Sequence, residues 1–451
     1  MLNKFRGIKD KLSPGLRKII RNVGWLSGEK VLRMIINLSV GIYVVRYLGA
    51  ENFGKLSYCL SLVGMFAAIA KLGLDNIVVR NLVQEEDSAQ EILGTAFILK
   101  LIGSLATVAL IIYVTFALND DPQVHWITTI IALGLVFNSF EVIDFWFQSK
   151  VLSGSIVIIR SIQLILSSLT KLLFISLGLP LSAFVWLILI DGILRTTGIV
   201  YMYFKHNQST FLWKFNFAKA INMLRDSWPL ILSGVMVTIY MKIDQVMLGN
   251  MASNEAVGNY AAAVKFSEVW YFVPIAICSS VFPSIIRARQ RSKQEYYEKL
   301  QVLYDLMAWM SLAIAIPMTF LSSILITHLL GNGYTEAGKI LAWHIWAGPF
   351  VFLGVARGKW LIAENFTHFS FATTALGAIT NLWLNFLLIP AYGGLGAALA
   401  TVISYGVSTH LACIFYPPIF KSGWMLTKAL FIPFRIRQNV LYLKRVQNLF
   451  S

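Results

Sequence analysis

Apolar runs of about twenty residues follow one another along the chain, separated by short polar segments. Twenty residues of helix cover the roughly 30 Å hydrocarbon core of a bilayer. Twelve such runs are found, near 25–48, 56–79, 92–117, 124–147, 151–178, 181–204, 222–248, 257–285, 301–330, 338–363, 367–390 and 394–417. In lipid, a continuous apolar run satisfies its backbone polar groups only as a helix. The pattern therefore predicts an all-α, polytopic membrane protein with about 12 transmembrane helices. Composition agrees: hydrophobic residues make up 57%, charged residues 13%, and mean hydropathy is +0.68. A soluble domain carries about a quarter charged residues, so this chain has too little polar surface to cover a globule in water.

Basic residues in the short loops set the expected orientation. Seven Lys and Arg precede the first run. Further groups lie at Lys205, Lys214, Lys219 and Arg225, at Arg287, Arg289, Arg291, Lys293 and Lys299, and after residue 418. Loops of the other parity hold little positive charge, and one carries Asp120 and Asp121. Both termini are thus expected in the cytoplasm, with much of the net charge of +16 on that face. Attraction to anionic lipid headgroups accounts for this charge, and no nucleic-acid partner is expected.

Two stretches echo each other: "RYLGAENFGKLSY" at 46–58 and "VMLGNMASNEAVGNY" at 246–260. Leu48-Gly49 matches Leu248-Gly249, and Glu51 and Gly54 match Glu255 and Gly258. Twelve runs with such an echo predict two pseudo-symmetric six-helix lobes of the same topology, the parallel kind of transporter repeat. The echoed stretch is read as the tight turn joining the first two helices of each lobe. The expected organisation is a basic N-terminal segment (1–24), an N-lobe (25–204), a linker loop (205–221), a C-lobe (222–417) and a basic amphipathic tail (418–451) lying on the membrane surface. No loop is long enough to hold a soluble catalytic domain. Cys59, Cys278 and Cys413 lie in apolar segments without ligand spacing and are read as core residues with no disulfide or metal role. No cleaved signal peptide is expected.

Ionisable residues at membrane depth are costly and usually face a cavity or one another. Here they recur at helical spacing, in stripes. One run has Lys30, Arg33 and Asn37, with Glu29 alongside; another has Arg160, Gln163, Ser167 and Lys171. Asp191 with Arg195, and Lys265 with Glu268, suit either neutralised pairs or a cavity wall. Arg160 has no acidic neighbour at helical spacing, which favours a cavity role. Lys242 and Asp244 are two apart and point to nearly opposite faces. Arg357, flanked by Gly354 and Gly358, is placed toward close helix packing. Asp75, Glu141, Asp144, Lys150 and Glu364, like Lys30, lie near span ends and are expected to snorkel to the interface. The candidates with least local compensation, Arg33, Arg160, Lys171, Lys242 and Arg357, are basic and suit an anionic cargo. Asn37, Gln163, Asn381 and Asn385 add uncharged polar groups fit for sugar hydroxyls.

The run "GEKVLRMIINLSVGIYVVRYLGAENFGKLSYCLSLVGMF", followed by "LGLDNIVVRNL", resembles the polysaccharide transporter family, the Wzx-type flippases of lipid-linked oligosaccharides. "MKIDQVMLGNMASNEAVGNYAAAVKFSE" is similar to the same family's seventh and eighth helices. The superfamily also holds the MATE multidrug exporters and the lipid II flippases. The resemblance implies a V-shaped, MATE-like pair of lobes working by alternating access in the bacterial inner membrane. The implied cargo is an undecaprenyl-diphosphate-linked repeat unit for O-antigen, capsule or exopolysaccharide, flipped from inner to outer leaflet. It implies that Lys30, Arg33, Arg160, Lys171, Arg195, Lys242, Lys265 and Arg357 contact diphosphate or acidic sugars. Asp244 and Glu268 become candidates for coupling to H+ or Na+. No other cofactor and no catalytic residue is implied, and polymerase or glycosyltransferase machinery is an implied partner.

Three other functions compete. A drug exporter of the same superfamily favours an acidic cavity, against the basic surplus here. A lipid II flippase typically has two further helices. A membrane glycan polymerase needs a sizeable external loop, and the external loops here are short.

Overall fold

The computed structural model describes residues 14–442, and among these there is no strand. The helices are α1 (Pro14–Lys71), α2 (Asp75–Gln84), α3 (Ala89–Leu118), α4 (Pro122–Phe137), α5 (Val142–Ser149), α6 (Ser153–Ser176) and α7 (Leu181–Lys205). They continue as α8 (Phe217–Met251), α9 (Asn254–Glu268), α10 (Phe272–Arg291), α11 (Lys293–Leu330), α12 (Thr335–His344), α13 (Ala347–Ala363) and α14 (Thr367–Gly406). A π-helical turn (Val407–Leu411) follows α14, and α15 (Phe420–Leu430) begins the tail.

Among the described residues, nine stretches are long and apolar enough to span a bilayer, and a tenth is the pair α12–α13, bent by 46°. Two of the ten hold two spans each. At about 1.5 Å per residue, the 61-residue stretch from Gly24 to Gln84 is about three times the length a bilayer needs. It is broken at Gly49, whose φ of 70° is left-handed and open to glycine at little cost. The other, His368–Ile414, is broken at Gly393, with φ 53°. The helical pattern along the sequence thus matches the expected set of about twelve spans. Boundaries differ where backbone breaks interrupt an apolar run. The second run ends early, at Leu72 and Gly73, both at positive φ. The eighth is split by a 3-10 turn, Val269–Tyr271.

The chain packs into two compact units. The first comprises residues through Leu48 and Cys59–Thr238; the second comprises Gly49–Tyr58 and residues from Ile239 onward. The division falls inside α8 instead of in the 205–221 loop, because the start of α8 is fastened to the first unit. Arg80 donates to Asp226 at 2.5 Å, Thr238 donates to the Met65 carbonyl at 2.9 Å, and Gly73 packs against Leu230. The core of this unit gathers Leu74, Val78, Leu93, Phe147 and Tyr203. That of the second unit gathers Tyr304, Met307, Leu353, Trp360 and Leu426. All three cysteines are buried, as thiols outside any disulfide.

The echoed stretches meet within the second unit. A Cβ on Gly54 would lie 1.7 Å from the Asn254 carbonyl oxygen, and one on Gly258 would lie 1.9 Å from that of Ala50. Ala50 and Asn254 hold equivalent places in the two copies, so the contact is reciprocal. Each copy supplies the glycine that admits the other's backbone. The Leu-Gly pair is repeated for two different reasons. Gly49 breaks the helix, whereas Gly249 lies against the Tyr58 ring, 2.2 Å from where its Cβ would be. The first copy is a turn only at that glycine, since helix resumes from Ala50.

Candidate functional site

Within the first unit, α1, α4, α6 and α7 enclose an open cavity of about 580 Å³, in the range of small-molecule sites. Its polar lining is Glu29, Lys30, Arg33, Asn138, Arg160, Gln163, Asp191 and Arg195. The helical spacing of Lys30 with Arg33, and of Arg160 with Gln163, puts each pair on one face. Gly134 and Gly192 face the cavity from α4 and α7 without side chains to fill it.

Each arginine here has an acidic partner, which corrects the expectation that Arg160 is uncompensated. Arg33 pairs with Glu29 at 2.6 Å, Arg160 pairs with Asp144, and Arg195 reaches Glu141 at 3.5 Å and Asn138 at 2.5 Å. The partner of Arg160 comes from α5, sixteen residues back, beyond any helical spacing. Nor do Asp191 and Arg195 pair with each other: Asp191 accepts from Ser167 at 2.5 Å and faces the charge of Lys171.

Exposure decides what these pairs do. Side-chain exposures of cation and carboxylate are 38% and 6% for Arg33–Glu29, 26% and 7% for Arg160–Asp144, and 29% and 19% for Arg195–Glu141. In every pair the carboxylate stands behind and the guanidinium in front. An arginine has five N–H donors in a fixed fork, and a carboxylate held on one edge leaves others free. The cavity thus presents oriented guanidinium donors, the geometry that recognises phosphate or carboxylate oxygens.

Of the residues expected to snorkel, Lys30 lines the cavity, whereas Asp75, Glu141, Asp144, Lys150 and Glu364 are ion-paired. Lys100, fully buried, bridges Asp75 at 3.3 Å and Glu141 at 3.4 Å and lies over the Phe145 ring. Lys150 pairs with Glu86, and Glu364 with Arg289, both at 2.9 Å. Sequence reasoning missed Lys100, the single cation of its span, because both of its partners are distant along the chain.

The second unit holds a different constellation. Asp244, on α8, is buried, and its carboxylate accepts from Tyr260 at 2.5 Å, Thr401 at 2.6 Å and Asn385 at 2.6 Å. These three partners are neutral. Asn385 also donates to Asn381 at 3.1 Å, and its own Oδ1 is buried with no hydrogen-bond partner. A buried carboxylate held only by dipoles costs several kcal/mol, and an oxygen-rich cage of this kind suits a proton or a hard cation. Sequence reasoning also missed Tyr260 and Thr401; they come from α9 and α14 and carry no local signal.

The family model described as "Polysaccharide biosynthesis protein" matches residues 19–289, more than half of the chain. The chain belongs to this polysaccharide biosynthesis family. A second family model, MatE, matches residues 229–387. Among curated relatives, a probable low-salt glycan biosynthesis flippase of Haloferax volcanii, Agl15, is 26% identical over 82% of this chain and 77% of its own. The capsular polysaccharide biosynthesis protein CapF of Staphylococcus aureus is 22% identical over 89% of this chain and all of its own. Among solved structures, the lipid II flippase MurJ in an inward closed conformation superposes with a TM-score of 0.69 at 16% identity. The match covers 93% of this chain and 92% of that one. An inward-facing multidrug resistance MATE transporter gives the same TM-score at 14% identity, covering 91% and 98%. These likenesses show a multi-pass membrane protein with the fold shared by both groups.

The residues of the expected cationic set are divided between the two units. Lys30, Arg33, Arg160 and Arg195, with Gln163, line the cavity; Asn37 is exposed and Lys171 half-buried, and neither is part of its lining. Lys242, Lys265, Arg357, Asp244, Glu268, Asn381 and Asn385 belong to the second unit. Glu268 feels the charges of Lys242 and Asp244. Arg357 is buried and donates to the carbonyls of Ser408 at 2.7 Å and Thr409 at 3.0 Å, and to Thr373 at 3.3 Å. Its guanidinium thereby satisfies carbonyls of the π-helical turn, a structural placement.

Proposed function

We propose that this protein is a flippase that carries polyprenyl-diphosphate-linked oligosaccharides from the inner to the outer leaflet of a cytoplasmic membrane. The observation that carries the reading is the order of exposure in the cavity, with guanidinium groups in front and carboxylates behind. A diphosphate meets a barrier of tens of kcal/mol in hydrocarbon, whereas the polyprenyl tail is at home there. A cavity that offers guanidinium donors, with Gln163 and Asn138 for hydroxyls, replaces the water around the headgroup while the tail stays in lipid. The glycan flippase name of one relative and the capsular polysaccharide role of another support the same cargo class.

Transport by alternating access needs an energy source. We assign the coupling ion, H+ or Na+, to Asp244, whose partners are all neutral and whose neighbour Asn385 keeps a free oxygen. Glu268 is the nearby second carboxylate. Both termini lie in the cytoplasm on this reading, in keeping with the basic loops, and polysaccharide polymerase or glycosyltransferase machinery acts before or after this step.

The MatE match supports a second reading, export of a small molecule. Deleting the gene in its host separates the two. Under the flippase reading, complete lipid-linked repeat units accumulate, and a membrane-impermeant sugar probe added outside does not reach them. No accumulation of a lipid-linked glycan would leave the exporter reading in its place.

A further inference from the structure

The face of α15 and the first turns of α11 enclose a second groove, of about 530 Å³, far from the cavity in sequence and lined by different chemistry. Lys421, Met425 and Lys428 lie at i, i+4 and i+7 on α15, and Lys293, Gln294, Tyr297 and Gln301 follow one face of α11. Three lysines therefore converge on one groove, whose lining holds a single carboxylate, Glu298, which accepts from Gln294 at 2.9 Å. Lys421 Nζ sits 3.3 Å from the centre of the Tyr297 ring, which fixes its position over the groove floor. The groove also adjoins the N-terminus of α11, where Ser292 accepts from the backbone N–H groups of Gln294 and Glu295. The positive end of that helix adds to the same field.

The adjacent face of α15 shows at what depth the groove lies. Phe420, Trp424 and Phe431 are exposed there, while Leu426 and Ala429 pack into the second unit's core. An amphipathic helix with aromatics outward and lysines beside them lies in the headgroup layer. We propose that this groove binds an anionic phosphate group, carried either by an acidic phospholipid headgroup or by a soluble phosphate compound. Partial burial and the neighbouring charge of Lys293 hold the Lys421 ammonium below the usual lysine range. A bound phosphate relieves that repulsion. The site is independent of the transport cavity, and its test does not rest on the flippase reading.

The full-length protein, purified in neutral detergent, is titrated with short-chain phosphatidylglycerol, short-chain phosphatidylcholine and inorganic phosphate. Native mass spectrometry reads lipid retention, and the unfolding midpoint reads phosphate. Wild type retains phosphatidylglycerol over phosphatidylcholine, and each lysine changed to glutamine (K293Q, K421Q, K428Q) lowers retention about fivefold, the weight of one basic side chain near an anionic surface. Lys299→Gln leaves it unchanged, because Lys299 is paired with Glu295 at 2.8 Å and lies off the groove lining. Stabilisation by inorganic phosphate that the same three variants abolish, without a preference for phosphatidylglycerol, assigns the site to soluble phosphates. The proposal fails if the triple variant, melting like the wild type, keeps both responses. Should the triple variant melt low, the exposed single variants K421Q and K428Q decide by the same readings.

Discussion

Arg160 serves two purposes, neutralising Asp144 and presenting donors to the cavity, and a pair of variants separates them. The Asp144 side chain is 7% exposed and that of Arg160 is 26%. Removing one partner of a fully buried pair costs ~3–5 kcal/mol; water on the arginine side lowers this to about 2–3 kcal/mol. Arg160→Met is therefore expected to lower the unfolding midpoint by about 5–10 °C, at ~2–4 °C per kcal/mol for a unit of this size. Adding Asp144→Asn removes the stranded charge and restores the midpoint to within a few degrees. Transport behaves otherwise. A charge-assisted hydrogen bond to a phosphate oxygen is worth ~1.5–3 kcal/mol, so the double variant still flips about ten- to a hundredfold more slowly at limiting substrate. The assay pairs thermal unfolding in detergent with the rate at which lipid-linked glycan becomes accessible outside vesicles. A double variant with native stability and native rate would refute this reasoning and reduce Arg160 to a counter-ion.

Gly54→Ala and Gly258→Ala each drive a Cβ to within 2 Å of a backbone carbonyl oxygen; each is expected to cost ~3 kcal/mol or more, and the double variant less than the sum, read by thermal unfolding. Asp244→Asn is expected to leave the protein folded and to abolish the response of flipping rate to an imposed proton or sodium gradient, while Tyr260→Phe weakens that response only in part. Arg357→Met leaves the Ser408 and Thr409 carbonyls without their donor and should destabilise by ~2–4 kcal/mol; Arg357→Lys recovers only a fraction, because one ammonium nitrogen does not replace both the Nη1 that serves these carbonyls and the Nη2 that donates to Thr373. Asp305, buried and bonded to Arg435 at 3.0 Å and Tyr442 at 2.7 Å, ties the tail to α11; Asp305→Asn should speed proteolysis within 435–442 severalfold while the spans stay protected.

The membrane fold is legible because it rests on local quantities, the length and apolarity of each run. The repeat is legible because a reciprocal contact requires the same residue types twice, and Gly54 and Gly258 supply them. What the sequence does not reveal is partners brought together from different helices. Arg160 looks unpaired along the chain because Asp144 precedes it by sixteen residues across a turn. Asp244 stands out as a membrane carboxylate, yet Tyr260 and Thr401 do not, since neutral residues in apolar runs leave no periodic trace. Lys100 is hidden for the same reason as the partner of Arg160. The helical stripes hold Lys30, Arg33, Arg160 and Gln163, which line the first unit's cavity, because that part of its wall is written on the faces of two helices. Arg357 packs closely, as its place beside Gly354 suggests, and the neighbour is the π-helical turn at Ser408 and Thr409.

Whether guanidinium groups at the front of the cavity carry a phosphate-bearing headgroup across the membrane is tested most directly by reconstitution. The purified protein is placed in proteoliposomes with a fluorescent polyprenyl-diphosphate oligosaccharide, and the outer leaflet is read by an impermeant quencher. The expected result is protein-dependent flipping that an uncharged polyprenyl-linked glycan does not undergo. It slows by a factor of about ten or more when Arg33, Arg160 and their carboxylate partners are neutralised together, the loss of one or two charge-assisted hydrogen bonds. Flipping that ignores the diphosphate, or that survives this neutralisation at full rate, would contradict it.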